Sequence, residues 1–430
     1  MSGDSVHTKR TACRLCDCPD FDVAFGLEPT PPANAYLKSS ELGVAERCFP
    51  LDLYVCRRCH HAQLLDIVDP SVMFRHYAYV SGTSPVFVRH LQDLRDEVLG
   101  RCLNKTPFMV EIGSNDGTLL QLFRDKGIKV LGVEPAENLA AFANENGRPT
   151  RNDFFNSDTA DAVKAENGTG AHIICANNVL AHIDPLQDVF AGIKRLLDKD
   201  GLCVWEVSYL VDVVEKGLFD TIYHEHVSYH SVGPTIGFLK NAGLELFAAQ
   251  RISTQGGSIR FFVQHAGGPY PLDKSVQELL SYEKKLGLET LEPFKALAAR
   301  IAASSKALCD KIAEAKAAGK RVAGYGAPAK VTTMMHHFHL GAADIEYLAD
   351  ENPLKQGLYT PGKHVPIVDV APIFENPPDY VVIFAWNFAR SIVETRRAFV
   401  DNGGRFLIPL PSLLEVNREN IDHYLATTRN

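Results

Sequence analysis

No stretch of the chain stays apolar for the roughly 18 positions that a membrane-crossing helix needs. The first ten residues are polar and lack the apolar centre of a secretory leader, so the sequence predicts a cytosolic protein. A basic excess is also missing. With 44 Lys and Arg against 52 Asp and Glu, the formal charge is −8, which argues against a general nucleic-acid binder. The phosphates of one small nucleotide remain within reach of a few local groups. What is present is ordinary for a globular protein, 46% hydrophobic and 22% charged, and 430 residues suggest about two to three domains.

Cysteine is unevenly spread. Cys13, Cys16, Cys18, Cys48, Cys56 and Cys59 crowd the first sixty of 430 positions, whereas Cys102, Cys175, Cys203 and Cys309 sit in apolar contexts typical of buried thiols. In a reducing compartment such clustering indicates metal rather than disulfides. Two C-x2-C knuckles, Cys13/Cys16 and Cys56/Cys59, supply four thiolates suited to tetrahedral zinc, with Cys18 as an alternative ligand. Four sulfurs leave no open position, so the zinc is expected to be structural and remote from the chemistry. A loop-rich unit of this size cannot bury much core and needs such a staple.

The remaining chain reads as α/β. Residues 66–106 form a polar, aromatic connector with a helix expected over 86–99. Strands are expected at 108–112, 130–133, 172–176 and 201–207, alternating with helices as in a parallel doubly wound sheet. A helical stretch over 273–318 reads as a spacer. A second α/β unit follows, with strands at 321–324, 345–348, 380–385 and 405–408. The division expected is 1–65 (zinc binding), 66–270 (connector and first α/β domain) and 271–430 (spacer and second α/β domain).

The first Gly-rich turn lacks the third glycine of a dinucleotide fingerprint. Glu111-Ile112-Gly113-Ser114-Asn115-Asp116-Gly117 has acidic residues before and inside the loop, unsuited to a pyrophosphate but suited to cationic, hydroxyl-rich S-adenosylmethionine. Glu134 ends the next strand, 21 positions after Gly113, where it can bind ribose hydroxyls. Asp153, Phe154 and Phe155 offer a carboxylate and an aromatic surface for adenine, or alternatively a strand start with two core phenylalanines. Asn177 and His182 follow a strand's carboxyl end, where doubly wound folds place ligands.

The densest chemistry is Tyr223-His224-Glu225-His226. Methylating carbon needs a carbanion equivalent, which a ketone provides as an enolate. Histidine suits the base, tyrosine or histidine the oxyanion donor, and glutamate the group that orients the base. An H-x-H metal site is the alternative, although the spacing matches no zinc helix. In Gly324-Tyr325-Gly326-Ala327-Pro328-Ala329-Lys330, Lys330 can hold a diphosphate. His336, His337 and His339 are expected at a helix end or on the surface.

Taken in order, the paired knuckles, EIGSNDG, DFF, NNVLAHI, YHEH, GYGAPAK and FAWN resemble the sugar C-methyltransferases of deoxysugar pathways, including 3-C-methyltransferases of thymidine-diphosphate 4-keto sugars. The resemblance spans Cys13 to about Pro411. It implies a small zinc-binding N-terminal domain, a class I S-adenosylmethionine-dependent methyltransferase domain and a C-terminal Rossmann-like α/β domain. It also implies His226 as base with Tyr223 and Glu225 beside it, and His182 with Tyr77 or Tyr79 lining the site. His224, Tyr325 and Lys330 fall to a nucleotide-diphosphate sugar. No nucleic acid or membrane partner is expected, and the patterns assign no oligomeric state, a monomer being compatible with them. A nicotinamide-dependent oxidoreductase of nucleotide sugars, built on Gly324 to Lys330, and a zinc-ribbon nucleic-acid-binding regulator are the rival readings. Strong NAD binding would favour the first and salt-dependent DNA binding the second.

Overall fold

The computed structural model describes residues 6–70, 73 and 80–428. Tyr77 and Tyr79 lie outside them. The chain divides into two discontinuous compact units. The first holds the described residues within Met1–Asp22, Tyr54–Asp212 and His226–Thr290, and the second those within Val23–Leu53, Val213–Glu225 and Leu291–Asn430.

The first unit is built on seven strands: β1 (Phe108–Ile112), β2 (Lys129–Val133), β3 (Thr150–Arg151), β4 (Ala171–Asn177), β5 (Leu197–Ser208), β6 (Leu244–Ile252) and β7 (Ser258–His265). Their spatial order is 6-7-5-4-1-2-3. All neighbours from β5 to β3 are parallel, while β7 runs antiparallel to both β5 and β6. This is the class I methyltransferase arrangement that the resemblance implied. All five residues of β1 are buried, as expected for a strand covered by helices on both faces.

The helices start where the local chemistry allows. Ser84 accepts from the Phe87 amide and Pro85 stands in the first turn of helix Pro85–Arg101. That helix lays Leu91, Leu94 and Val98 against Met109, Leu119, Leu120 and Phe123. Each such side chain contributes about 1.5–3 kcal/mol by leaving water. Before the sheet, His7–Lys9 pairs antiparallel with Asp66–Val68, and Ala62–Leu64 pairs antiparallel with Ser228–Tyr229.

The second unit has six strands: β8 (Val322–Tyr325), β9 (Leu348–Ala349), β10 (Ile367–Val368), β11 (Tyr380–Ile383), β12 (Arg405–Ile408) and β13 (Leu414–Val416). The order β10-β9-β8-β11-β12-β13 is parallel except for the last strand. Written 3-2-1-4-5-6, it is the Rossmann order, and its strand sequence reverses between β8 and β11.

One expectation needs correction. The stretch 273–318 is two helices, Ser275–Leu286 and Glu292–Ala317. Gly287, at φ 79°, ends the first in a left-handed cap, and the unit boundary falls just beyond. Each helix then packs within its own unit, the second through a stripe of Phe294, Leu297, Ile301, Leu308 and Ile312. His336 lies at a helix end as expected, in the last turn of helix Lys330–His337, where it is buried with Nε2 3.3 Å from the Pro361 carbonyl oxygen.

Candidate active site

In the first unit the sulfurs of Cys13, Cys16, Cys56 and Cys59 all lie within 4.8 Å of one another. Cys13 and Cys59 are 3.6 Å apart, as are Cys16 and Cys56. A tetrahedral zinc with bonds of about 2.3 Å sets its sulfurs about 3.8 Å apart, so the four thiols fit that ion. Cys18 turns instead toward Asp20. The Gln63 amide donates to Cys13 Sγ at 3.1 Å and the Arg58 amide to Cys56 Sγ at 3.4 Å, the outer-shell support a thiolate metal site needs.

The Gly-rich turn leaves β1 at the switch point beside β4, where doubly wound sheets bind ligands. Gly113, Asn115 and Gly117 all have positive φ. At Gly113 a Cβ would stand 2.7 Å from Val179 Cγ2, so the cradle requires glycine at that position. Glu134 accepts from the Asn115 amide at 2.7 Å and the Ala136 amide at 2.9 Å, which fixes the turn and still leaves lone pairs for a ribose hydroxyl. Asp116 serves the protein itself. Its carboxylate accepts from the Thr118 amide and hydroxyl and from the Gly82 amide, while the Asn115 side chain accepts from the Ser81 amide. Residues 81–82 are thereby fastened to the turn.

Two buried groups here have atoms left over. Glu111 Oε2 and both side-chain polar atoms of Asn177 are buried without a hydrogen-bond partner. Burial raises the Glu111 pKa well above the usual carboxyl range, and the nearby Asp116 and Glu134 add to the effect. Unspent acceptors, a donor and a carboxyl short of a cation match the ammonium and hydroxyl groups of S-adenosylmethionine. Asp153 and Phe154 are exposed beside this end of the sheet, with the Asp153 amide on the Glu134 carbonyl. Phe155 is buried, with Cε1 3.2 Å from where a Cβ on Gly192 would be.

His182 and His226 meet edge to face, their ring centroids 4.8 Å apart. Burial of its ring lowers the His182 pKa well below the usual imidazole value, and His226 adds to the shift. His182 is therefore neutral at pH 7. The backbone sets this pairing, because Val227 and Ser228 both donate to the Ala181 carbonyl.

Tyr223, His224 and Glu225 are the last residues of a segment in the second unit. There His224 is buried, with Nε2 3.2 Å from the Pro50 carbonyl oxygen and its ring edge-on to Phe49. Glu225 accepts from the Asn34 amide at 2.6 Å. The Tyr36 hydroxyl and the Lys355 ammonium both donate to the Ala327 carbonyl in the Gly-bearing turn. That turn sits at the switch point, where a Cβ on Gly326 would come 2.5 Å from the Ala385 Cβ. Lys330 stands 5.9 Å over the Trp386 ring, and the Trp386 indole donates to buried Asp220 at 2.6 Å. Burial lowers the Lys330 pKa and raises that of Asp220, each charge partly offsetting the other's shift. Tyr325 is engaged locally, donating to Glu351 and accepting from Arg396.

Asn34, Tyr36, Asp220 and Lys355 thus join the second unit's cluster without having been singled out by the sequence. Asn34 and Tyr36 precede the Gly-bearing turn by about 290 residues, and only folding brings them to it. The FAWN motif, which holds Trp386, was the one available signal.

Three family profiles cover most of the chain: a zinc binding domain at residues 13–74, a methyltransferase domain at 83–249 and a C-methyltransferase C-terminal domain at 253–411. The C-methyltransferase NovU of Streptomyces niveus is 34% identical over 409 residues, 95% of this chain and 97% of that protein. Among solved structures, geranyl diphosphate C-methyltransferase from Streptomyces coelicolor A3(2) matches 45% of this chain and 91% of its own at 12% identity and TM-score 0.34. The S-adenosylmethionine complex of magnesium protoporphyrin IX methyltransferase from Synechocystis PCC 6803 matches 41% and 78% at 12% identity and TM-score 0.31. With a sulfur site matching the first profile, a class I sheet matching the second and full-length identity to NovU, this chain belongs to the C-methyltransferases that carry an N-terminal zinc-binding domain.

Proposed function

We propose that the protein transfers the methyl group of S-adenosylmethionine to carbon 3 of a nucleotide-diphosphate 4-keto deoxysugar. The observation that carries this reading is the ring pair His182–His226, placed in the same unit as a turn with unspent groups for the methyl donor. When bound, S-adenosylmethionine supplies an electrophilic methyl group on a positively charged sulfur. Glu111, Asn177 and Glu134 would hold its polar groups, and Phe154 its adenine.

His226 removes the proton from the carbon beside the ketone, and the electron pair moves onto the ketone oxygen as an enolate. Neutral His182 has one ring N–H to donate to that oxygen. The sugar nucleotide's place rests on the Rossmann order of the second unit and on Lys330 beside Trp386 at its switch point. We assign zinc to residues 1–65, the methyl donor and base to 66–270 and the nucleotide to 271–430, with 23–53 and 213–225 packed in the second unit.

The test is transfer of labelled methyl from S-adenosylmethionine to a panel of thymidine- and guanosine-diphosphate keto sugars. His226→Asn should abolish transfer and leave cofactor affinity by calorimetry unchanged. Turnover at the wild-type rate in that variant would remove His226 from the base role. Absence of any labelled product across the panel would remove the sugar.

A further inference from the structure

The first C-x2-C knuckle does more than hold metal. Arg14 lies inside it, between Cys13 and Cys16, and its side chain is fully buried. Its Nε donates to Asp184 Oδ1 at 2.9 Å, and Nη1 donates to Gln63 Oε1 at 3.2 Å and to the Leu64 carbonyl. Asp184 stands two residues after His182, and Arg10 holds its second oxygen at 3.0 Å. Gln63, equally buried, accepts from the Arg14 amide at 3.1 Å and donates to Cys13 Sγ at 3.1 Å.

The backbone completes the second arm. Gln63 is paired with Ser228 in the Ala62–Leu64 ladder, and the Leu64 amide donates to the Val227 carbonyl at 3.0 Å. Val227 directly follows His226, and its own amide reaches Ala181, directly before His182, at 2.8 Å. Both histidine-bearing segments are therefore tied to one sulfur-ligated knuckle through two buried side chains. A staple that merely stabilised the N-terminal segment would need neither tie.

We infer that Arg14 and Gln63 are positioning residues for the histidine pair, clamping segments 181–184 and 226–228 against the Cys13 knuckle. The expectation that the metal is remote from the chemistry is thereby replaced by a mechanical link of two hydrogen-bonded side chains. For what His226 does, the inference rests on the proposed base role; for where the rings sit, it does not.

The experiment uses the zinc-loaded full chain with Arg14→Lys, which keeps charge and loses the fork, and Gln63→Glu, which keeps shape and loses the donor to Cys13. Metal analysis and S-adenosylmethionine calorimetry come first, and each variant is read at saturating zinc and at matched cofactor occupancy. Carbon–proton spectra of labelled histidine rings, assigned with His182→Asn and His226→Asn, are then recorded. The clamp predicts that both ring signals shift in each variant. It also predicts that exchange of the sugar's carbon-bound hydrogen for solvent deuterium, measured without methyl donor, slows by roughly 10- to 100-fold, the usual cost of losing outer-shell support. Unmoved ring signals overturn the clamp. So do shifted signals with exchange at the wild-type rate. If the wild-type protein itself exchanges nothing, the base role falls and the ring signals alone decide the clamp. If Arg14→Lys loses its zinc, Gln63→Glu decides.

Discussion

At the scale of single residues, Glu111 makes the sharpest prediction about the cofactor. Its carboxyl is buried, with one oxygen unpartnered and its pKa raised by burial and by Asp116 and Glu134. A cationic ligand favours the ionised form, so binding expels the proton that the free protein carries. Affinity for S-adenosylmethionine should therefore rise with pH above the ordinary carboxyl pKa and level off once Glu111 ionises unaided. Calorimetry in buffers of different ionisation heat should detect the released proton. Glu111→Gln should abolish that pH slope and weaken binding about tenfold, or about 1.4 kcal/mol. Glu111, Gly113 and Glu134 were legible in the sequence because a strand, a turn and the next strand's end are local facts. Arg14, Gln63 and Asp184 were not. Their contacts span 49 and 170 residues, and nothing near them in sequence indicates a partner.

At the scale of elements, the helix Pro85–Arg101 is held to the first sheet by charge as well as by leucines. His90 Nε2 lies 2.7 Å from Glu206 Oε1, and Arg260 bridges Glu206 at 3.1 Å and Glu97 at 2.6 Å. Removing one partner of a buried pair strands the other charge, which costs about 3–5 kcal/mol. Glu206→Ala should lose up to that much stability in a denaturant titration, with buried Arg260 left to Glu97 alone. The turn after β1 makes a second case. Gly113→Ala forces a φ of 66° on a residue with a Cβ and drives it into Val179, so stability should fall by about 1–3 kcal/mol with cofactor affinity falling alongside. The central strands were readable because each is a continuous apolar run. The β6–β7 hairpin was not, since buried Arg260 and Gln264 interrupt the apolar pattern that would have marked it.

At the scale of the whole chain, two sheets share the strand order 3-2-1-4-5, and each places its candidate groups at a reversal point. Parallel order can be inferred from alternating strands and helices; the assignment of 23–53 and 213–225 to the second unit cannot, because it depends on tertiary contacts alone. Enclosing polar residues in the first unit has a cost that pH should reveal. His230 is 3% exposed, and burial lowers its pKa to about 4, while His182 is lowered by burial and by His226. Between about pH 4 and 6.5 the unfolded chain binds protons at these positions that the native chain does not, so stability rises with pH across that window and falls as pH drops through it. His230 alone accounts for about 3 kcal/mol of that loss. Protonation of the four zinc thiolates would add to acid sensitivity, and the two causes separate by variant. His230→Asn should flatten the dependence of unfolding free energy on pH by one proton between pH 6.5 and 4 and leave zinc retention at each pH as in the wild type. An unchanged slope in that variant would take the acid loss away from His230 and leave it to His182 and the metal site.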